Sequence, residues 1–126
     1  MSSSTPRRHI RLKRAYQEPD RRDGLRVLVD GLWPRGLSKK EAAIDIWLKE
    51  IAPSAALRRW YGHDVKLWSA FRERYRNELK ANSVAINQLM DLYRNGSVTL
   101  VFAARDEAHS NAAVLMEFLH ELLDET

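Results

Sequence analysis

Cysteine is absent from this 126-residue chain. That excludes disulfides, thiolate nucleophiles, cysteine-ligated zinc and iron–sulfur clusters together. Long apolar runs are missing as well: stretches such as Ala112 to Met116 fall far short of the ~20 residues a membrane-spanning helix needs. The first twelve residues carry charge but no apolar h-region, so no secretory signal is expected. Histidine is scarce, and His9, His63, His109 and His120 show neither HxH nor HExxH spacing, so no metal site is expected. These absences leave a soluble, cytoplasmic globular protein as the expectation, with no membrane segment, metal or cofactor.

What is present supports a folded core. Of the residues, 44% are hydrophobic and 30% charged, and a chain of this length buries roughly two-thirds of its unfolded surface. The basic balance of 21 Lys+Arg against 17 Asp+Glu is unevenly placed. Residues 1–26 hold eight bases and three acids, residues 58–80 seven and three, and residues 103–126 one and six. Arg outnumbers Lys fifteen to six, which favours bidentate recognition of phosphate or carboxylate.

Residues 1–8 (MSSSTPRR) read as a flexible basic arm, and residues 9–126 as a single domain. HIRLKRAY alternates apolar and charged residues, the pattern of a half-buried strand, and QEPDRRDG is a loop. RVLVD, Arg26 to Asp30, reads as a buried strand. Gly31, Pro34 and Gly36 then require an ordered turn. Ser38 to Glu41 forms a capping box, which predicts a short helix running through Ile46 or Trp47 and ending before Pro53. Ser54 caps a second helix that Gly62 stops. Asp64 caps the longest, with Trp68, Phe71, Tyr75 and Leu79 on one stripe. A further helix spans Val84 to Arg94, closed by Asn95-Gly96 as a left-handed cap. Ser97 to Ala103 is another buried strand, and the last helix runs from about His109 to Leu123. The expected fold is α/β: a small, largely parallel sheet of three or so strands flanked by about five helices. If the strands ending at Asp30 and Ala103 are parallel, their carboxyl ends share the edge where such sheets place ligands.

Two segments follow those strand ends. Asp30 to Gly36 contains Trp33 and Arg35, and Arg105 to Asn111 contains Asp106 and His109. Arg35 and Arg105 suit an anion clamp beside a helix start, where unpaired N–H groups favour negative charge. Histidine titrates within the physiological range, so His109 suits acid–base work if Asp106 or Asp30 orients it. Each residue has a plainer account beside this one. Asp30 pairs with Arg35 or caps the loop, Asp106 caps the last helix, and His109 is a hydrogen-bonded structural residue. Arg105 pairs with the acidic C-terminal helix, and Trp33 is a lid over the core. The Trp60 to Asp64 cluster reads more readily as helix breaking and packing than as ligand contact.

At these residues the chain resembles the YeaO-like family of small bacterial proteins with a domain of unknown function. The resemblance rests on LKRAY, RVLVDGLWPRGLSK, WLKEIAPS, LRRWYGHD, FRERYRNEL and VTLVFAARDEAHSNAAVL and spans about Ile10 to Leu119. It implies an α/β domain whose signature loops are Asp30–Arg35 and Arg105–Asn111, and it implies no reaction. This chain carries Gly31 where that branch usually has Arg. Distant relatives place Cys where His109 stands, so thiol chemistry does not transfer. The reading favoured is a domain that binds a small anionic, nucleotide-like ligand, as a small hydrolase or transferase if it is an enzyme. In that reading His109, Asp106 and Asp30 are the catalytic candidates, and Arg35, Arg105, Trp33 and Asn111 the substrate-binding ones. The alternative is a nucleic-acid-binding module or regulator using the basic arm and an Arg-rich face of Arg58, Arg59, Arg72 and Arg76. A third is an interaction domain whose exposed aromatics take a partner or a second copy.

Overall fold

The computed structural model describes residues 9–124; the expected basic arm at 1–8 lies outside them. Four parallel strands form one sheet: β1 (Ile10–Arg14), β2 (Leu25–Leu28), β3 (Ile46–Trp47) and β4 (Val98–Phe102), in the order β1-β4-β2-β3. The central β4 is buried along its whole length, which is why VTLVF reads as a nearly continuous apolar run. It pairs Ile10↔Val98 to Arg14↔Phe102 on one side and Leu25↔Val98 to Leu28↔Val101 on the other. The helices are α1 (Lys39–Ala42), α2 (Ala55–Tyr61), α3 (Trp68–Lys80), α4 (Ser83–Arg94) and α5 (Asn111–Asp124). At 14 residues α5 is one residue longer than α3, so α3 is not the longest helix, and Asp64 caps a 3-10 turn at Val65–Leu67 that precedes it, not α3 itself.

Alternation along the strands gives the sheet two unlike faces. Ile10, Val27, Val29, Val98, Leu100 and Phe102 point into the main core with Leu57, Phe71, Tyr75, Leu89, Leu115 and Leu119. This face therefore carries α2 to α5, and the expected stripe of α3 is buried through Phe71, Tyr75 and Leu79. On the other face Ala15, Leu28 and Val101 form a smaller cluster beneath Trp33, Leu37 and Ile44. Beside that cluster the covering is ionic. Asp23 accepts from Lys13 Nζ at 2.9 Å and from Arg26 Nη1 at 2.7 Å, with Asp23 and Arg26 each only 4% exposed. Burial raises the Asp23 carboxyl, but bonds from Lys13, the Asp20 backbone and Arg26 outweigh it and hold it below the usual range.

Arg26 also accounts for a departure from expectation. Its Nε and Nη2 donate to the carbonyls of Ala43 and Ala42, which satisfies the end of α1 after one turn. Ala43 takes a left-handed conformation, φ 49°. Ile46 and Trp47, expected at the end of that helix, instead add an edge strand to β2 at Val27↔Ile46 and Leu28↔Trp47.

The other boundary corrections are local. Asn95 ends α4 in a right-handed conformation and Gly96 has φ 155°; i→i+3 bonds to Leu92 and Tyr93 close the turn without a left-handed cap. Asp106 caps a 3-10 turn, Glu107–His109. Ser110 Oγ then accepts from Ala113 N–H at 3.2 Å, so α5 starts two residues later than expected.

Candidate functional site

The carboxyl ends of β2 and β4 lie side by side, and Val29 N–H donates to Val101 O at 3.0 Å. Just beyond, the Ala103 N–H donates to Asp30 Oδ2 at 2.9 Å, tying the two signature segments together. A cavity of about 530 Å³ opens there, within the size range of small-molecule sites. Asp30, Trp33, Arg35, His109 and Asn111 line it together with Gly31, Arg58, Arg59, Tyr61 and His63. No group of three His, Asp or Glu side chains that could hold a metal ion occurs among the described residues.

The turn after β2 is braced from several directions. Trp33 Nε1 donates to Leu37 O at 2.8 Å, Trp47 Nε1 to Asp30 O at 2.7 Å, and Tyr16 OH to Arg35 O at 2.9 Å. Trp33 also meets Trp47 edge-on at 5.6 Å and caps the smaller cluster, the packing role foreseen as one account of it. Gly36 has φ 83°, which a side chain would strain. The brace leaves the exposed Arg35 guanidinium without a protein partner among the described residues.

Arg58 enters from α2 and donates its Nε–H to Pro53 O at 3.2 Å. A Cβ built on Gly31 would meet Arg58 Cζ at 2.8 Å and Nη2 at 2.9 Å. The missing side chain at position 31 is thus the space in which this guanidinium lies. Arg59 is exposed on the cavity rim and, like Arg35, has no partner among the described residues.

Asp30 is the one acid among the lining residues. Burial pushes its carboxyl up, opposed by the Ala103 N–H, the Asn111 side chain and the charges of Arg58 and His63. Asn111 also donates Nδ2 to Val29 O at 3.2 Å. Arg58, not Arg35, is the arginine whose charge bears on Asp30.

His109 Nδ1 lies 2.7 Å from Asp106 Oδ2, so Asp106, and not Asp30, orients the imidazole. That hydrogen bond draws the Asp106 carboxyl down. The ring packs edge-on against Trp68 at 5.1 Å, and its backbone carbonyl accepts from Tyr61 OH at 2.9 Å. Asp106 touches His109 but is not itself among the residues lining the cavity. Nor is Arg105, whose side chain is exposed.

Arg58 and Arg59, assigned from the sequence to an Arg-rich face, line the cavity. Tyr61 and His63 line it too, while Gly62 ends α2 and Tyr61 stacks on Phe71 at 4.2 Å, the helix breaking and packing expected of that cluster. Gly62 stops α2 with φ 52°, and His63 follows, also left-handed at φ 59°. This pair turns the chain back over the site. Of the two non-glycine residues held in that region, His63 lines the cavity and Ala43 does not. The remaining arginines of the expected basic face are engaged elsewhere. Arg72 pairs with Glu117, and Arg76 reaches Glu117 at 3.0 Å and Glu121 at 2.7 Å, clasping α3 to α5.

Comparison with known proteins identifies the family. A model of a family described as the inactive DUF488-N3 subclade (DUF488-N3i) matches residues 9–126. The uncharacterized protein Rv3073c of Mycobacterium tuberculosis (strain ATCC 25618 / H37Rv) is 42% identical over 111 residues, covering 88% of this chain and 93% of the relative. The uncharacterized protein YeaO of Escherichia coli (strain K12) is 38% identical over 114 residues, covering 90% and 99%. No solved structure matches the chain. No helix among the described residues is long and apolar enough to cross a membrane.

Proposed function

The chain belongs to the DUF488-N3i family, the inactive DUF488-N3 subclade, and from that premise we propose that it binds a small phosphorylated or carboxylated ligand without turning it over. One observation carries this reading: Arg35, Arg58 and Arg59 all line one cavity whose lining holds a single carboxylate, that of Asp30. Concave sites at the carboxyl ends of parallel strands are where open α/β sheets take ligands, and focused positive charge raises the local concentration of anions. Leu32, Trp33 and Phe71 in the same lining offer an apolar wall to the rest of a nucleotide-like molecule.

Binding without reaction fits the side chains. No cysteine exists in the chain, and Ser110, the hydroxyl nearest His109 in sequence, donates to Glu107 O and caps α5. The Asp106–His109 pair therefore has no adjacent nucleophile to activate. In this reading the imidazole contacts the bound anion. The family's description as inactive is consistent with that. The nucleic-acid alternative has less support, since Arg72 and Arg76 are committed to Glu117 and Glu121.

A thermal-shift screen of nucleotides and phosphorylated metabolites, with Arg35→Ala as control, tests the proposal. A ligand at one hundred times its Kd stabilises by about 2.7 kcal/mol, which raises Tm by several degrees and by much less in Arg35→Ala. No shift with any phosphate-bearing ligand, or an equal shift in the variant, overturns it.

A further inference from the structure

Asp30 is out of place in a pocket built for anions. Its carboxylate shares the lining with three arginines and repels any negative ligand that approaches them. Its bond from the Ala103 N–H joins the two loops through one carboxylate oxygen and leaves acceptor capacity over. That N–H takes Oδ2, whereas a carboxylate offers about four acceptor positions. A half-buried acceptor with capacity left over, facing a cavity, suits a donor brought by the ligand.

We propose that Asp30 accepts a hydroxyl of the ligand while the arginines hold its phosphate, so that the site selects polyhydroxylated phosphate esters, of the sugar-phosphate class, over bare or alkyl phosphates. This rests on the anion-binding reading above and adds a specificity-determining residue to it. The geometry supplies both halves of such a ligand's chemistry. Arg35 and Arg59 are exposed residues of the cavity lining, and Asp30 follows the end of β2 in the same lining as Asn111. Arg58 lies against Gly31 next to Asp30, where its charge opposes the upward push of burial on the carboxyl, and three arginines against one acid leave net positive charge for the phosphate. A ligand without a donor must desolvate Asp30 and give nothing back, the situation in which hydrogen-bonding sites discriminate most strongly.

Isothermal calorimetry at constant pH and ionic strength with ribose 5-phosphate and n-pentyl phosphate separates the outcomes, because the two share carbon count and charge class. Apolar burial alone would favour the alkyl ester. On the wild-type protein the sugar phosphate is expected to bind about tenfold or more tightly. In Asp30→Asn the ratio is expected to fall toward unity, chiefly because the alkyl phosphate, relieved of a repelling charge, binds more tightly. Equal or reversed affinities on the wild type, or an unchanged ratio in the variant, overturn the role of Asp30 while leaving the anion site standing. Binding of neither ester to the wild type removes the sugar-phosphate proposal, and removes the anion site as well when the thermal-shift screen finds no phosphate-bearing ligand either. The wild-type comparison decides the matter even if Asp30→Asn fails to fold.

Discussion

Gly31→Ala separates the stability of this fold from the chemistry of its cavity. The backbone at position 31 is not among the positive-φ residues, so alanine fits and gains about 0.4–1 kcal/mol by restricting the unfolded chain. Its Cβ would stand 2.8 Å from Arg58 Cζ and 3.1 Å from Nη1, closer than atoms tolerate. The obstructing atoms are the far end of a flexible side chain, so the guanidinium swings away and gives up its bond to Pro53 O, a loss of about 0.5–1.5 kcal/mol. The two terms nearly cancel, and urea denaturation should report a change within about 1 kcal/mol. Affinity should respond quite differently. A charge-assisted hydrogen bond contributes about 1.5–3 kcal/mol, so losing Arg58 from the cavity weakens phosphate-ester binding about 10- to 150-fold. Unchanged affinity by calorimetry would refute the role given to Arg58. A destabilisation above about 3 kcal/mol would show that its guanidinium cannot move aside.

The ionic side of the sheet makes a second prediction. Asp23→Ala leaves Arg26 buried beside Lys13 without its carboxylate and should cost about 3–5 kcal/mol in chemical denaturation, a large share of the 5–15 kcal/mol typical of a domain. Because the Asp23 carboxyl is held below its ordinary value near 4, its contribution is complete above that pH and is lost as pH falls through the depressed folded value. The acid limb of the wild-type stability curve should therefore be steeper than that of Asp23→Ala below about pH 4. The two left-handed non-glycine residues form a third pair. Ala43→Gly relieves a strained φ and should stabilise by about 1 kcal/mol with anion affinity unchanged. His63→Gly should stabilise comparably but weaken anion binding, since the imidazole leaves the cavity lining, and a thermal melt plus a titration reads both. Tyr75→Phe removes the buried hydroxyl that donates to Ile51 O at 2.6 Å and should lower stability by about 1 kcal/mol or more, as an orphaned buried carbonyl requires.

Elements set by local signals were legible in the sequence. The capping box at Ser38–Glu41, the Ser54 cap, the Gly62 stop and the apolar stripe of α3 all depend on residues within one or two turns of each other. Parallel pairing of the strands ending near Asp30 and Ala103 followed from the intervening helices, and with it the meeting of Asp30, Arg35, His109 and Asn111. What stayed hidden was set by partners far apart in sequence. The two-residue strand at Ile46–Trp47 exists because Arg26 ends α1 early, and nothing in KKEAAIDIW announces a guanidinium seventeen residues upstream of Ala43. Arg58 and His63 reach the cavity only because α2 is turned back across the strand ends. Arg105 had the right chemistry and position, but the chain leaves the rim there, so it remains in solvent.

A two-dimensional amide NMR titration with inorganic phosphate and ribose 5-phosphate tests the anion site most directly, since it maps binding residue by residue. Saturable shifts should cluster at Asp30–Arg35, Arg58–His63 and His109–Asn111 and should shrink in Arg58→Ala. Shifts confined to the basic residues near the amino terminus, or no saturable shifts at all, would contradict a ligand site at the carboxyl ends of β2 and β4.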